Sequence, residues 1–310
     1  MLTRRHIRIK VMQSLYSLSH EGKQNLNDQV DFFIESVKKS FDLYYLLISI
    51  FKHIYALAQN KIQLEKKLQY ELSDSFAEKI IKNPYFKFFY EHKNISDYVK
   101  KRKINNWELD SEYINKFYID LTTNPIFSDY SPGLNNENDT LFYINFYKEC
   151  IARSDMLYDY LEDKQLTWID DFPVINTHIV KQTKLLDIEN PKNIDFPVFN
   201  LKSEETLFGV ELLNKVISKS DLLESEITGK TPNWESDRIA DIDYILLKMA
   251  ISELLYFEQI PIRVTINEYL EIAKDYSTPK SNIFINGVLD NISKDFEQKG
   301  RLNKSGRGLL

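Results

Sequence analysis

Apolar residues recur three and four positions apart through most of the chain, and little in the sequence cuts that pattern into strands. Ile7, Val11, Leu15 and Leu18 form one such stripe, with Thr3 placed to cap the helix, and Ile9, Met12 and Tyr16 form a second row on another side. A helix apolar on two faces is buried on both, or buried on one and offered to a partner on the other. Residues 28–80, which carry Phe32, Phe33, Val37, Phe41, Tyr44 and Tyr45, read as two helices, and residues 140–163 read as another. Only eight glycines occur in 310 residues, against 19 Tyr and 19 Phe. The turns that an all-β chain requires are therefore missing, and an all-α fold with a large packed interior is predicted.

The punctuation lies elsewhere. Asn83-Pro84 and Asn124-Pro125 interrupt the helical pattern, and Ser131-Pro132-Gly133 opens the clearest loop. Residues 167–199, with Trp168, Pro173, Pro191 and Pro197, show little periodicity and read as an irregular connector at a domain boundary. Beyond it, residues 204–227, 236–256, 265–276 and 281–297 each read as a helix. Thr265-Ile-Asn-Glu268 has the spacing of a capping box, Pro279 closes that helix and Ser281 is positioned to cap the next. Glu253 falls in the Ile242, Leu246, Met249 stripe, so a buried carboxylate is predicted. It needs partners, expected to be backbone donors near the Pro261 turn or the Thr265 helix start.

Signatures of catalysis are missing. The glycines form neither a Walker loop nor a dinucleotide fingerprint, and His6, His20, His53, His92 and His178 lack metal-ligand spacing. Cys150 is alone and reads as a small buried hydrophobe, so no disulfide, structural metal or cofactor is expected. Asp170-Asp171 and the acids of residues 159–163 read as solvated charges, because nothing nearby would activate them. The N-terminus has no apolar signal region, and the longest apolar run, residues 43–51, is far short of the roughly 20 residues of a membrane span. A soluble, cytoplasmic protein without membrane partners is predicted.

A net charge of −6 argues against indiscriminate coating of nucleic acid. The charge is unevenly distributed, however. Arg4, Arg5, Arg8 and Lys10 precede the first acid, Glu21, and Lys299, Arg301, Lys304 and Arg307 form a tail without acids. Arg4 and Arg5 sit in a first helical turn, where the helix dipole disfavours each cation by about 0.3–1 kcal/mol. Bound phosphate would remove that conflict.

Arg4-Arg5-His6-Ile7-Arg8 followed by Gln13-Ser14-Leu15-Tyr16-Ser17 resembles the first helix of the NusB family. A longer match follows in the same order and spacing: residues 243–254, Pro261, Val264-Thr-Ile-Asn267-Glu268, Ala273-Lys274, and Phe284-Ile-Asn286-Gly287-Val-Leu-Asp290. The resemblance implies NusB-like helical bundles with an accessory helical module inserted after the first helix. Residues 1–20 would be the basic first helix, 21–204 the accessory module and connector, 205–297 the C-terminal helices, and 298–310 a basic tail.

The same resemblance implies a non-enzymatic adaptor of transcription antitermination. It would bind boxA-type RNA of nascent ribosomal transcripts together with a small-subunit ribosomal protein, NusE, within the RNA polymerase antitermination complex. The RNA contacts carried over are Arg4, Arg5, Arg8, Lys280, Phe284 and Asn286, and the partner contacts are Tyr16, Asp243 and Lys248. Tyr16 is either partner-facing or core, and Phe284 either stacks on a base or joins the core. Gly287 serves either close helix packing or backbone access for RNA. Ile283 stands where the family is usually basic, and Lys280 where it is often acidic or polar. An interaction scaffold that has lost RNA binding is therefore the alternative. A NusB-like domain also precedes RNA methyltransferase domains, but this chain has no glycine-rich cofactor loop or second Cys to support that role.

Overall fold

Asn, Ser and Pro supply most of the helix starts that can be traced to a side chain. In the computed structural model Asn83 accepts hydrogen bonds from the Tyr85 and Phe86 amides, at 3.0 and 3.2 Å, and Pro84 follows it at a position where no N–H is required. Asn124, Asn135, Ser154 and Ser203 cap in the same way. The structure describes residues 1–21, 26–68, 75–190, 194–230 and 239–305. The sequence signals at Pro191, Ser236 and Arg307 lie outside these residues.

Regular structure among the described residues is entirely helical. The chain divides into two compact units, one of Lys38–Phe199 with Met1, the other of Leu2–Val37 with Asn200–Leu310. The long helix α2 (Leu26–Leu68) contributes its first part to the second unit and the remainder to the first. It is the described helix long and apolar enough to cross a membrane by length and composition, and 67% of its most apolar window is buried inside the protein.

The first unit continues with α3 (Ser75–Lys82), α4 (Pro84–Glu91), α5 (Lys93–Arg102), α6 (Asn106–Leu109), α7 (Ser111–Thr123), α8 (Asn136–Phe146), α9 (Asp155–Lys164) and α10 (Thr167–Leu185). Aromatic rings close its core. Phe51 on α2 meets Phe86, Phe89, Tyr143, Phe146 and Tyr147, with ring centroids 4.0–5.9 Å apart. Two expectations are corrected here. Residues 167–185 are helical rather than irregular, because Trp168, Phe172, Ile175 and Ile179 keep a buried stripe around Pro173. The helix expected over 140–163 divides where Ser154 caps α9.

The second unit contains α1 (Arg4–Glu21), α11 (Glu204–Ser218), α12 (Ser220–Thr228), α13 (Asp241–Tyr256), α14 (Ile262–Tyr276) and α15 (Ser281–Gln298). Helix α13 is central and packs against the other five. Helix α1 lies on α11, α13 and α14, with Ile7 and Val11 buried, so the first helix and the C-terminal helices share one core. At Gly209 of α11 an added Cβ would lie 2.2 Å from Phe33 and 2.6 Å from Ile7, which makes glycine a packing requirement there.

Helix α14 begins at Ile262, one turn earlier than the sequence suggested. Thr265 and Glu268 consequently form no capping box: Thr265 bonds Glu253, and Glu268 bonds arginines of α1. Ser281 is likewise the first residue of α15, with its hydroxyl donating to Asp243 instead of capping the helix. In both cases a side chain with local capping chemistry has a buried tertiary acceptor or donor within reach.

Candidate nucleic-acid interface

Arg4, Arg5 and Arg8 leave the first turns of α1 toward three different carboxylates. Arg8 is the buried one: its Nε and Nη2 each donate to Glu253 at 2.8 Å, with side-chain exposures of 3% and 0%. Thr265 Oγ1 and Tyr269 OH also donate to this carboxylate, at 2.8 and 3.1 Å. Glu253 is therefore satisfied by side chains of α1 and α14, not by the backbone donors expected. Burial opposes the charge on Arg8, but the hydrogen bonds and charge of Glu253 outweigh it and raise the guanidinium pKa. This fork faces the core and is not displayed for phosphate.

Arg5 pairs with Glu268 through two parallel bonds, Nε to Oε2 at 3.0 Å and Nη2 to Oε1 at 2.8 Å. The hydrogen bond from Arg5 holds the Glu268 carboxyl below its ordinary pKa, against the opposing effect of burial. This pair is open to water, with exposures of 43% and 21%. Arg4 pairs with Glu204, exposed at 41% and 77%, and its guanidinium lies over the Phe208 ring. Burial, aided by the charges of Arg5 and Lys10, lowers the pKa of His6, leaving a neutral ring near pH 7 whose Nδ1 accepts from the Thr3 amide at 3.3 Å. Thr3 stands immediately before the helix, with its hydroxyl 2.8 Å from His6 Nδ1.

Together these groups line a cleft of about 510 Å³, whose wall includes Arg4, Arg5, Arg8, Pro261, Val264 and Glu268. Arg4 also borders a second cleft of about 390 Å³, with Glu204, Phe208 and Tyr256. Sequence reading missed Glu268 and Glu204 as partners of the arginines. The charge pattern indicated only that the basic residues lacked local acids, and the acids come from helices about 200 residues away or more.

The remaining candidates occupy several surfaces of this unit. Lys280 and Asn286 are exposed near the start of α15, Phe284 is half-buried, and Ile283 stands out at 72% exposure. An added Cβ at Gly287 would meet nothing within 4 Å, so close helix packing does not account for this glycine. Tyr16 is 41% exposed and is not a core residue. Asp243 is buried, and its two oxygens accept from Ser277 and Ser281 at 2.6 and 2.7 Å. Lys248 is half-buried, 3.1 Å from the Ser220 hydroxyl and 3.7 Å from the Glu224 carboxylate, with its ammonium over Tyr244. Asp243 thus ties α13 to the start of α15, whereas Lys248 turns toward α12.

The basic tail is also held internally. Arg301 donates to Glu226 at 2.7 Å, Lys299 pairs with Asp295, and Lys304 donates to the Glu253 and Phe257 carbonyls at the end of α13. The Lys304 ammonium adds a charged donor to two carbonyls at the negative end of α13, which also accept the Phe257 and Ile260 amides. The described tail residues consequently present less free positive charge than their sequence suggests.

Fold and site together define an all-helical module in which a basic N-terminal helix completes a C-terminal bundle and turns arginines into a surface cleft. The NusB family model matches residues 174–294. The transcription antitermination protein NusB of Salinibacter ruber is 45% identical over 122 residues, which cover 39% of this chain and 69% of that protein. The corresponding protein of Chloroherpeton thalassium is 42% identical over 113 residues, covering 36% of this chain and 53% of that protein. That of Geotalea daltonii is 38% identical over 103 residues, covering 33% and 71%. The chain belongs to the NusB family.

Proposed function

We propose that this protein is a non-enzymatic adaptor of transcription antitermination that binds boxA-type single-stranded RNA jointly with the small-subunit ribosomal protein NusE. The observation that carries the reading is the pair of half-exposed guanidiniums, Arg4 and Arg5, at the rim of one cleft in a NusB-family fold. Arginine forks recognise phosphate, and they sit at the positive end of α1, where an anion is favoured. Exposed Lys280, just before α15, and Asn286 and Gly287 on it support a further contact where the chain has no packing reason for glycine. Half-buried Phe284 would stack on an unpaired base. Arg8 takes the part of a positioning residue that anchors α1 through Glu253.

Tyr16, the exposed member of the Ile9, Met12, Tyr16 row of α1, would face NusE. Asp243 would act on that surface indirectly, by fixing the α13–α15 corner, and Lys248 from the α12 side. The test is a titration of labelled boxA-type RNA at several salt concentrations, with and without NusE. Salt-dependent binding strengthened by NusE is expected, and Arg5→Ala should make the slope of log affinity against log salt shallower by about 0.7. An interaction scaffold without RNA affinity is favoured by exposed Ile283 and by the carboxylates on all three arginines. Absence of binding at low salt would select that reading.

A further inference from the structure

We propose that Glu268 and Glu204 are selectivity residues that hold the places of RNA phosphates on Arg5 and Arg4, so that only an anion able to engage both arginines displaces them. The inference rests on the RNA-binding reading of the cleft, and it assigns a task to two acids within a basic site. A carboxylate gripping an arginine through two parallel bonds occupies the positions that two phosphate oxygens would take. The seat of Glu268 on Arg5 therefore marks a phosphate subsite, already filled in the free protein.

The three pairs differ in how readily they open. Arg8–Glu253 is sealed, and Glu253 keeps Thr265 and Tyr269 as further donors, so phosphate does not enter there. Arg5–Glu268 and Arg4–Glu204 are both in contact with water, where exposed ion pairs are weak and exchange readily. Glu204 borders the neighbouring cleft and is largely exposed, which leaves its carboxylate solvated after release. Glu268 also lies 3.5 Å from Arg8 Nη1 and retains that neighbour when Arg5 turns away.

Selectivity follows from the geometry of α1. Consecutive residues of a helix point about 100° apart, so one small anion reaches Arg4 or Arg5 and must displace a tethered carboxylate by itself. A strand carrying successive phosphates engages the second arginine at a high effective concentration once the first is taken. The acids thus exclude free phosphate and single nucleotides while admitting a polyanionic strand.

The experiment compares the full chain with its Glu268→Gln and Glu204→Gln variants, using labelled boxA-type RNA and, separately, inorganic phosphate as competitor. Glutamine keeps a hydrogen-bond acceptor for the arginine and removes the charge. For Glu268→Gln, RNA affinity should rise about fivefold, and inorganic phosphate should become an effective competitor. Glu204→Gln should show the same changes at smaller size, and it tests the proposal on an exposed pair if the first variant folds poorly. Unchanged or weaker RNA binding by folded variants, with Arg5→Ala still impairing the wild-type protein, would overturn the selectivity role alone. If neither wild type nor variants bind RNA at low salt, the RNA reading itself falls and this inference with it.

Discussion

The two compact units solve the problem of an interior in different ways. In Lys38–Phe199 the centre is a set of rings around Phe51; Asp139 accepts from Tyr130 OH at 2.6 Å and buried Asp171 from Ser40 at 2.7 Å, while the arginine fork of this unit, Arg102 on Asp42, stays in contact with water, with exposures of 31% and 13%. In the other unit an ion pair, Arg8–Glu253, lies in the core between the first helix and α13. Rings contribute buried area without needing an opposite charge, whereas a buried fork requires one charged partner in one geometry. The ionic core is found where α1 must be held in register with its cleft. The difference suggests that buried charge here fixes position, while aromatic packing supplies stability.

The strongest test of that contrast is removal of one half of the ion pair. Glu253→Ala should destabilise the protein by about 3–5 kcal/mol, because the Arg8 charge remains buried without its partner. Urea unfolding followed by circular dichroism measures this, and a loss below about 1 kcal/mol would break the distinction between the two cores. The glycines of the same unit sharpen it at smaller size. Gly209→Ala should cost about 1–3 kcal/mol through collision with Phe33 and Ile7. Gly287→Ala should instead stabilise by about 1 kcal/mol, since open space surrounds the added methyl, and it should weaken RNA binding if the bare backbone is approached there.

The smallest effect is expected in the aromatic unit. The buried Tyr143 hydroxyl has no hydrogen-bond partner among the described residues, and burial pushes its pKa well up. Tyr143→Phe should keep the ring stack on Phe51 and Phe89 and raise stability by up to about 1 kcal/mol. A drop in the thermal midpoint would mean that the hydroxyl has an unseen role and that the unit depends on polar contacts more than its rings suggest.

Much of the fold was legible because its signals are periodic and local. The Ile7–Val11–Leu15 stripe, the break at Asn83-Pro84 and the buried place of Glu253 follow from spacing alone. The helix over residues 167–185 was obscured by Pro173, whose local preference yields to the burial of Trp168, Phe172, Ile175 and Ile179. At the cleft, sequence singled out Arg4 and Arg5 as out of place at a helix start, and the family motif supplied Tyr16, Asp243 and the α15 residues. What each side chain touches was not legible.

The sequence by itself determined an all-helical chain, a basic first helix and a carboxylate in the core of α13, because helical periodicity, charge order and burial of a stripe are properties of neighbouring residues. Only the tertiary structure decided that Arg8 belongs to Glu253, Arg5 to Glu268 and Asp243 to Ser277 and Ser281. The Arg5 and Arg8 pairs join residues 263 and 245 positions apart, and the Asp243 contacts cross between helices. Which acid meets which donor depends on how helices cross, and a one-dimensional charge pattern carries no information about crossing.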